Sequence, residues 1–113
     1  MTFEEYQKGA MSTEAMGRPG SITDLSFVAK VLGLVGESGE FADKIKKIYR
    51  DNGGQITEDQ NRELLKELGD VLWYVSVLAD FLGSDVQEVA EMNLAKLADR
   101  KKRDQIKGSG DNR

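Results

Sequence analysis

The sequence predicts an all-α protein: a single four-helix bundle that assembles into an oligomer. Apolar residues recur at spacings of three, four and seven along the chain, which is the period of a helix face. Capping and glycine-containing turn sequences divide the chain into four such segments, and no useful stretch alternates like a strand. The length of 113 residues suits one domain. We expect that domain at 1–106, followed by a polar, glycine-rich tail at 107–113.

The first two helices are bounded by clear signals. A capping box from Thr2 to Glu5 starts a helix predicted over about residues 3–16, and the turn around Pro19 ends it. Asp24 lies in a second capping sequence, and the second helix is predicted to run from there to about Tyr49, before two glycines. Two neighbouring apolar stripes on it are expected to be buried: Leu25, Val28, Leu32, Val35, Ala42, Ile45 and Ile48, and Phe27, Val31, Leu34 and Phe41.

The third helix is apolar on most of its circumference, which is typical of a central helix or one buried in an oligomer. It starts at a capping box from Thr57 to Gln60 and ends at Gly83. A capping sequence that begins at Ser84 starts the fourth helix, whose predicted buried residues are Val86, Val89, Ala90, Leu94 and Leu97. Because the turn between the second and third helices is short, we expect them to be antiparallel neighbours.

Composition excludes several kinds of chemistry. The chain has no cysteine and no histidine, so it lacks thiolate ligands, disulfides and the commonest general base. A metal ion would be held by oxygen, which favours Mg²⁺ and admits Mn²⁺. The net charge of −4 offers no excess positive charge to nucleic acid or to an anionic membrane. No apolar run reaches the length of a membrane span, and no signal-peptide order is present, so we expect a cytoplasmic protein.

Two acidic pairs are the strongest functional signal. Glu37 and Glu40 lie on the second helix, and Glu67 and Asp70 lie on the third. A spacing of three places each pair within about 60° on its helix. Such pairs are ordinarily solvated, but these lie among apolar residues on helices expected to face each other. Converging carboxylates raise one another's pKa, and a divalent cation relieves that repulsion. The four residues are therefore predicted to bind Mg²⁺, which can polarise a phosphoryl oxygen and activate water.

Four residues beside these pairs allow two interpretations each. Lys44 and Lys47 can neutralise phosphate charge, or they can support the helix and remain solvated. Trp73 can stack on a base or belong to the core. Tyr74 shares the acidic face of its helix and can bond a carboxylate or a nucleotide.

The chain resembles the MazG-like all-α nucleoside triphosphate pyrophosphohydrolases. The resemblance rests on the segments from Gly36 to Glu40, from Glu67 to Tyr74 and from Asn93 to Arg100, and on a first helix that carries Glu5-Tyr-Gln-Lys-Gly-Ala10. It implies Mg²⁺-dependent hydrolysis of an NTP to an NMP and pyrophosphate in a dimer or tetramer, with sites formed by more than one subunit. By this resemblance the four carboxylates are the catalytic metal ligands. Three residues of the fourth helix would contact the nucleotide: Asn93, Lys96 and Arg100.

Several points stay open at this stage. Gly36 stands where many members of that family carry a further glutamate, which leaves the number of metal ions undecided. No motif selects a base or a sugar. The alternatives to the general hydrolase are a relative that acts on phosphoribosyl-ATP, a relative that acts on an alarmone, and a non-catalytic helical interaction module. A nucleic-acid adaptor is a further alternative, which the net charge disfavours.

Overall fold

The computed structural model describes residues 1–103 together with Gly110 and Asp111. Four helices form this part of the chain, and it contains no strand. They are α1 (Phe3–Ser12), α2 (Leu25–Asn52), α3 (Glu58–Phe81) and α4 (Val86–Lys102). The predicted all-α class is confirmed. The predicted glycine-rich tail at 107–113 lies outside the described residues except for Gly110 and Asp111, and residues 104–106 of the predicted domain lie outside them as well.

Helix α1 is four residues shorter than predicted. Its capping box forms as expected, with the Thr2 side chain and Glu5 exchanging bonds with each other's backbone N–H groups. The helix ends at its C-cap, Thr13. The next residue, Glu14, lies in a turn that its own side chain stabilises by hydrogen bonds. The Glu14 carboxylate accepts the N–H groups of Met16 and Gly17 at 2.8 and 2.9 Å.

The other helix boundaries follow the predicted signals with three differences. Helix α2 continues three residues past the predicted end and stops at Gly53, whose φ of 61° favours glycine. At its start, the Asp24 side chain makes no capping bond and instead accepts the N–H groups of Gly20 and Ser21. Helix α4 is capped by Asp85, which accepts the Glu88 N–H at 2.8 Å, and not by the preceding serine.

Helices α2 and α3 form an antiparallel pair. Lys44 contacts Glu67, and Gly33 approaches Tyr74, so residue numbers fall along α2 as they rise along α3. Helix α1 packs against α3 and α4, and α3 packs against α4. Within the described residues, α2 packs against no helix other than α3. One chain therefore resembles a hairpin of two long helices with two shorter helices at one end.

A buried polar group joins the three helices at that end. The Gln7 side-chain oxygen accepts the Ser76 hydroxyl at 3.2 Å and the Val86 N–H at 2.8 Å, while its Nε2 donates to the Ser76 carbonyl at 3.2 Å. Gln7 is 8% exposed and Ser76 is fully buried. Because α1, α3 and α4 each contribute a partner, these bonds fix the three helices to one another.

A buried ion pair attaches the α1–α2 loop to α2. Lys30 Nζ lies 2.8 Å from the Glu14 carboxylate, and both side chains are almost fully buried. The ammonium also lies 5.8 Å from the centre of the Phe81 ring. Burial raises the pKa of Glu14, but the Lys30 hydrogen bond and the two backbone N–H groups outweigh that effect, so the pKa is lowered.

Most of the apolar residues predicted to be buried are exposed in the single chain. Leu32, Val35 and Leu94 each expose about two thirds of their surface, at 65%, 66% and 68%. Few apolar residues of the described part are buried: Ala10, Ile48, Leu64, Val77, Ala79 and Val86. The prediction of buried stripes was therefore wrong for one chain, because α2 has only α3 to pack against. No helix in the described part of the chain has the length and apolarity that crossing a membrane would require.

Candidate metal centre

Three of the four predicted carboxylates converge between α2 and α3. Oxygen atoms of Glu37, Glu67 and Asp70 all lie within 4.8 Å of one another. Opposite ligands of an octahedral Mg²⁺ lie about 4.2 Å apart, so this spacing is on the scale of one coordination sphere. The antiparallel register produces the convergence, because Glu37 on α2 faces the turn of α3 that carries the other two side chains.

The cluster holds more negative charge than its surroundings compensate. Partial burial of the Glu37 carboxyl group raises its pKa, and so do the charges of Asp70, Glu67 and Glu40 together with a hydrogen bond to Glu67. Lys44 opposes this charge, because its Nζ lies 3.5 Å from Glu67. An all-oxygen donor set with residual negative charge fits a hard divalent cation.

Glu40 occupies a different position from its three predicted partners. It lies on the exposed surface of α2, outside the converging group, although its charge contributes to the raised pKa of Glu37. The structure therefore brings three predicted ligands together and places the fourth beside them.

Of the two α2 lysines predicted to bind phosphate, Lys44 contacts the cluster at Glu67. Lys44 and Lys47 line a cleft of about 270 Å³ between α2 and α3. Lys47 is also held by Asp43 at 2.8 Å, which raises the Lys47 pKa through a hydrogen bond and keeps it charged. The lining of this cleft includes both lysines and Glu63 but none of the three converging carboxylates, so Lys44 is the lysine that connects the cleft to the cluster.

The two aromatic residues of α3 that were predicted to bind substrate have different surroundings. The Trp73 indole N–H donates to the Ala10 carbonyl at 3.2 Å and to the Thr13 hydroxyl at 2.8 Å, so this ring anchors α1 to α3. This favours the structural interpretation of Trp73 over base stacking within one chain. Tyr74 instead turns toward α2, where its ring lies against the backbone of Gly33.

The predicted nucleotide-binding residues of α4 lie apart from the carboxylates. Asn93 is exposed and lines a groove with Lys96. Lys96 Nζ lies 3.0 Å from the Asp111 carboxylate, and Arg100 is 4% exposed and donates to the carbonyls of Gly110 and Asp111. In the described residues no hydrogen bond or ion pair joins these three side chains to the cluster.

Tyr6 of α1 was not predicted as a site residue. Partial burial raises its pKa, and the negative charge of Asp70 raises it further, so the Tyr6 hydroxyl lies within electrostatic reach of the cluster. The available signal was its place in the first-helix segment that carries the family resemblance.

The fold and the cluster define the class to which the chain belongs: all-α proteins with converging carboxylates between facing helices. The family follows from sequence comparison. The model of the MazG nucleotide pyrophosphohydrolase domain matches residues 26–104, which include nearly all of α2 and the whole of α3 and α4. The chain therefore belongs to the MazG family.

One relative is similar in sequence along the whole length of the chain. The Gene 37 protein of Mycobacterium phage L5 is 47% identical over 116 residues, with 100% of each chain covered. No solved structure was found to match the chain.

Proposed function

We propose that this protein is a Mg²⁺-dependent nucleoside triphosphate pyrophosphohydrolase that converts an NTP or dNTP and water to the monophosphate and pyrophosphate. The observation that carries the proposal is the convergence of Glu37, Glu67 and Asp70 inside the segment matched by the MazG family. Removal of non-standard or surplus nucleotides is the role that such an activity would serve. Triphosphate substrates would place that activity in the cytoplasm.

In this proposal the carboxylates hold the cation, with Mn²⁺ as an alternative to Mg²⁺. A bound ion of this kind polarises a phosphoryl oxygen and activates the attacking water. Lys44 and Lys47, in the adjoining cleft, neutralise part of the triphosphate charge. Glu40 lies close enough to influence Glu37, so it serves either as a fourth ligand or as the acceptor of the proton that water loses.

The nucleotide contacts from α4 would come from a second subunit in a dimer or tetramer. Asn93, Lys96 and Arg100 have no bond to the cluster of their own chain in the described residues. The chain's surface supports a missing partner: it exposes 8152 Å², whereas a compact protein of 12.5 kDa exposes about 6,200 Å². Its radius of gyration of 16.9 Å also exceeds the about 13 Å of a compact domain of this length. An excess of about 2,000 Å² is enough for an extensive interface on each subunit.

The test is pyrophosphate release from a panel of NTPs and dNTPs, with and without Mg²⁺. We expect Mg²⁺-dependent release by the wild type and its loss in Glu37→Gln and Asp70→Asn. Glu4→Gln is a matched control, because it makes the same chemical change at an exposed carboxylate of α1. Release that is unaffected by chelation, or that persists in both cluster variants, would refute the proposal.

Two further measurements sharpen this result. Glu40→Gln separates its two roles: loss of Mn²⁺ affinity identifies a ligand, whereas a fall in kcat with unchanged Mn²⁺ affinity identifies the proton acceptor. If the whole NTP panel is inert although circular dichroism shows folded protein, the general hydrolase is excluded. Phosphoribosyl-ATP and alarmones are then the next substrates, and inertness toward them would favour a binding module.

A further inference from the structure

Among the three glycines of α2, Gly33 is the one whose backbone lies against a side chain of α3. A Cβ atom added at Gly33 would lie 2.2 Å from Cε1, 2.3 Å from Cζ and 2.7 Å from Oη of Tyr74. At Gly36 and Gly39, also in α2, an added Cβ would meet nothing within 4 Å. The Tyr74 ring therefore occupies the space that a side chain at position 33 would need.

This contact lies one helical turn from the carboxylate cluster on both helices. Gly33 precedes Glu37 by four residues and Tyr74 follows Asp70 by four, so in the antiparallel pair the contact borders the cluster on one side. Tyr74 is also packed edge-to-face against Trp73, with ring centres 4.8 Å apart and planes at 86°. Trp73 is in turn fixed to α1 by its two hydrogen bonds.

We propose that Tyr74, packed on the bare backbone of Gly33, is a positioning residue that sets the separation of α2 and α3 at which Glu37 reaches Glu67 and Asp70. This inference rests on the proposed metal site. Apolar carbon atoms pack at about 3.5–4.0 Å, so a methyl group at position 33 must displace the ring or the helix by about 1.3–1.8 Å. Metal–ligand distances tolerate about 0.2 Å, so a movement of the helix by this amount exceeds what the cluster can absorb.

The experiment measures Mn²⁺ affinity by electron paramagnetic resonance of unbound Mn²⁺, with thermal unfolding measured in parallel. We expect Gly33→Ala to weaken Mn²⁺ binding by at least about 10-fold, the lower end of the loss seen when groups that orient metal ligands are removed. Gly39→Ala is the matched control, because it makes the same substitution on the same helix with nothing to displace. This variant should keep its Mn²⁺ affinity within about twofold of the wild-type value, a smaller change than the loss of about 10-fold expected for Gly33→Ala.

A second pair of variants separates positioning from general damage. Tyr74→Leu removes the ring and should also weaken Mn²⁺ binding, whereas Gly33→Ala combined with Tyr74→Leu places a methyl group in the vacated space and should recover part of the affinity. A purely structural role would lower the unfolding temperature without this reciprocal effect on Mn²⁺ affinity.

The outcomes distinguish this inference from the proposed function. If the wild type binds Mn²⁺ and Gly33→Ala binds it equally well, the positioning role is overturned and the metal site stands. If Gly33→Ala does not fold, Tyr74→Leu decides, and wild-type Mn²⁺ affinity in that variant overturns the inference. If the wild type binds no Mn²⁺, the proposed metal site and this inference both fall.

Discussion

Replacing Glu14 by Gln should unfold this protein at a much lower temperature. The change leaves the Lys30 ammonium buried without its counter-charge, since the two side chains are only 5% and 6% exposed. Removing one partner of a buried ion pair costs about 3–5 kcal/mol. For 113 residues the entropy of unfolding is about 0.24 kcal/mol/K, so Tm should fall by about 13–21 °C. Thermal unfolding followed by far-ultraviolet circular dichroism measures this directly.

Two controls determine whether the buried charge is the cause. Glu4→Gln breaks an exposed pair with Lys8 and should leave Tm unchanged within error. Lys30→Met combined with Glu14→Gln removes the unpaired ammonium and should regain most of the lost stability. A Tm loss of less than about 4 °C in Glu14→Gln alone, which is about 1 kcal/mol, would refute the reasoning. So would a double variant no more stable than the single one.

The same pair predicts a pH dependence. The Glu14 pKa is lowered in the folded protein, because hydrogen bonds from Lys30 and from two backbone N–H groups outweigh the effect of burial. Stability from this group is therefore complete above the unfolded-state pKa of about 4.3 and is lost as pH falls through the folded-state pKa. The Tm difference between wild type and Glu14→Gln should accordingly shrink as the solution is acidified through this range.

Three further predictions concern the site and the helix junction. Glu67→Gln should lower kcat/KM for pyrophosphate release by more than the roughly 10–100-fold typical of groups outside the coordination sphere, and retained activity would remove it from the ligand set. Gln7→Ala leaves the buried Val86 N–H without a partner, costing about 1–3 kcal/mol, so Tm should fall by roughly 4–13 °C; an unchanged Tm would contradict the role of this junction. Asp111→Asn removes a carboxylate that pairs with Lys96, so the KM for a triphosphate should fall about two- to fivefold, whereas a KM at or above that of the wild type would argue against phosphate binding at that lysine.

The features predicted well from sequence depend on neighbours in the chain. The capping boxes at Thr2 and Thr57 form as expected, because each needs only residues three positions apart. Glu37, Glu67 and Asp70 also converge as predicted, because a short turn forces α2 and α3 to be antiparallel and their spacing then sets the register.

The features that sequence analysis missed depend on contacts between distant segments. Glu14 resembled a helical residue, but its partner Lys30 is sixteen residues away and draws it into a turn. Tyr6 lies near Asp70 because α1 packs against α3, and no local pattern predicts that contact. The apolar stripes of α2 were predicted to be buried, yet most of their residues are exposed in one chain, because a helical period shows which face is apolar and not which element covers it.

The position of Trp73 gives the molecule a built-in optical reporter. It is the single tryptophan of the chain, so all indole fluorescence originates at the bond between α3 and the end of α1. The adjacent Tyr74 ring, in contact with the α2 backbone, connects this fluorophore to the helix that carries Glu37. Emission wavelength and quenching therefore record undocking of the first helix and changes near the carboxylates in a single, label-free signal.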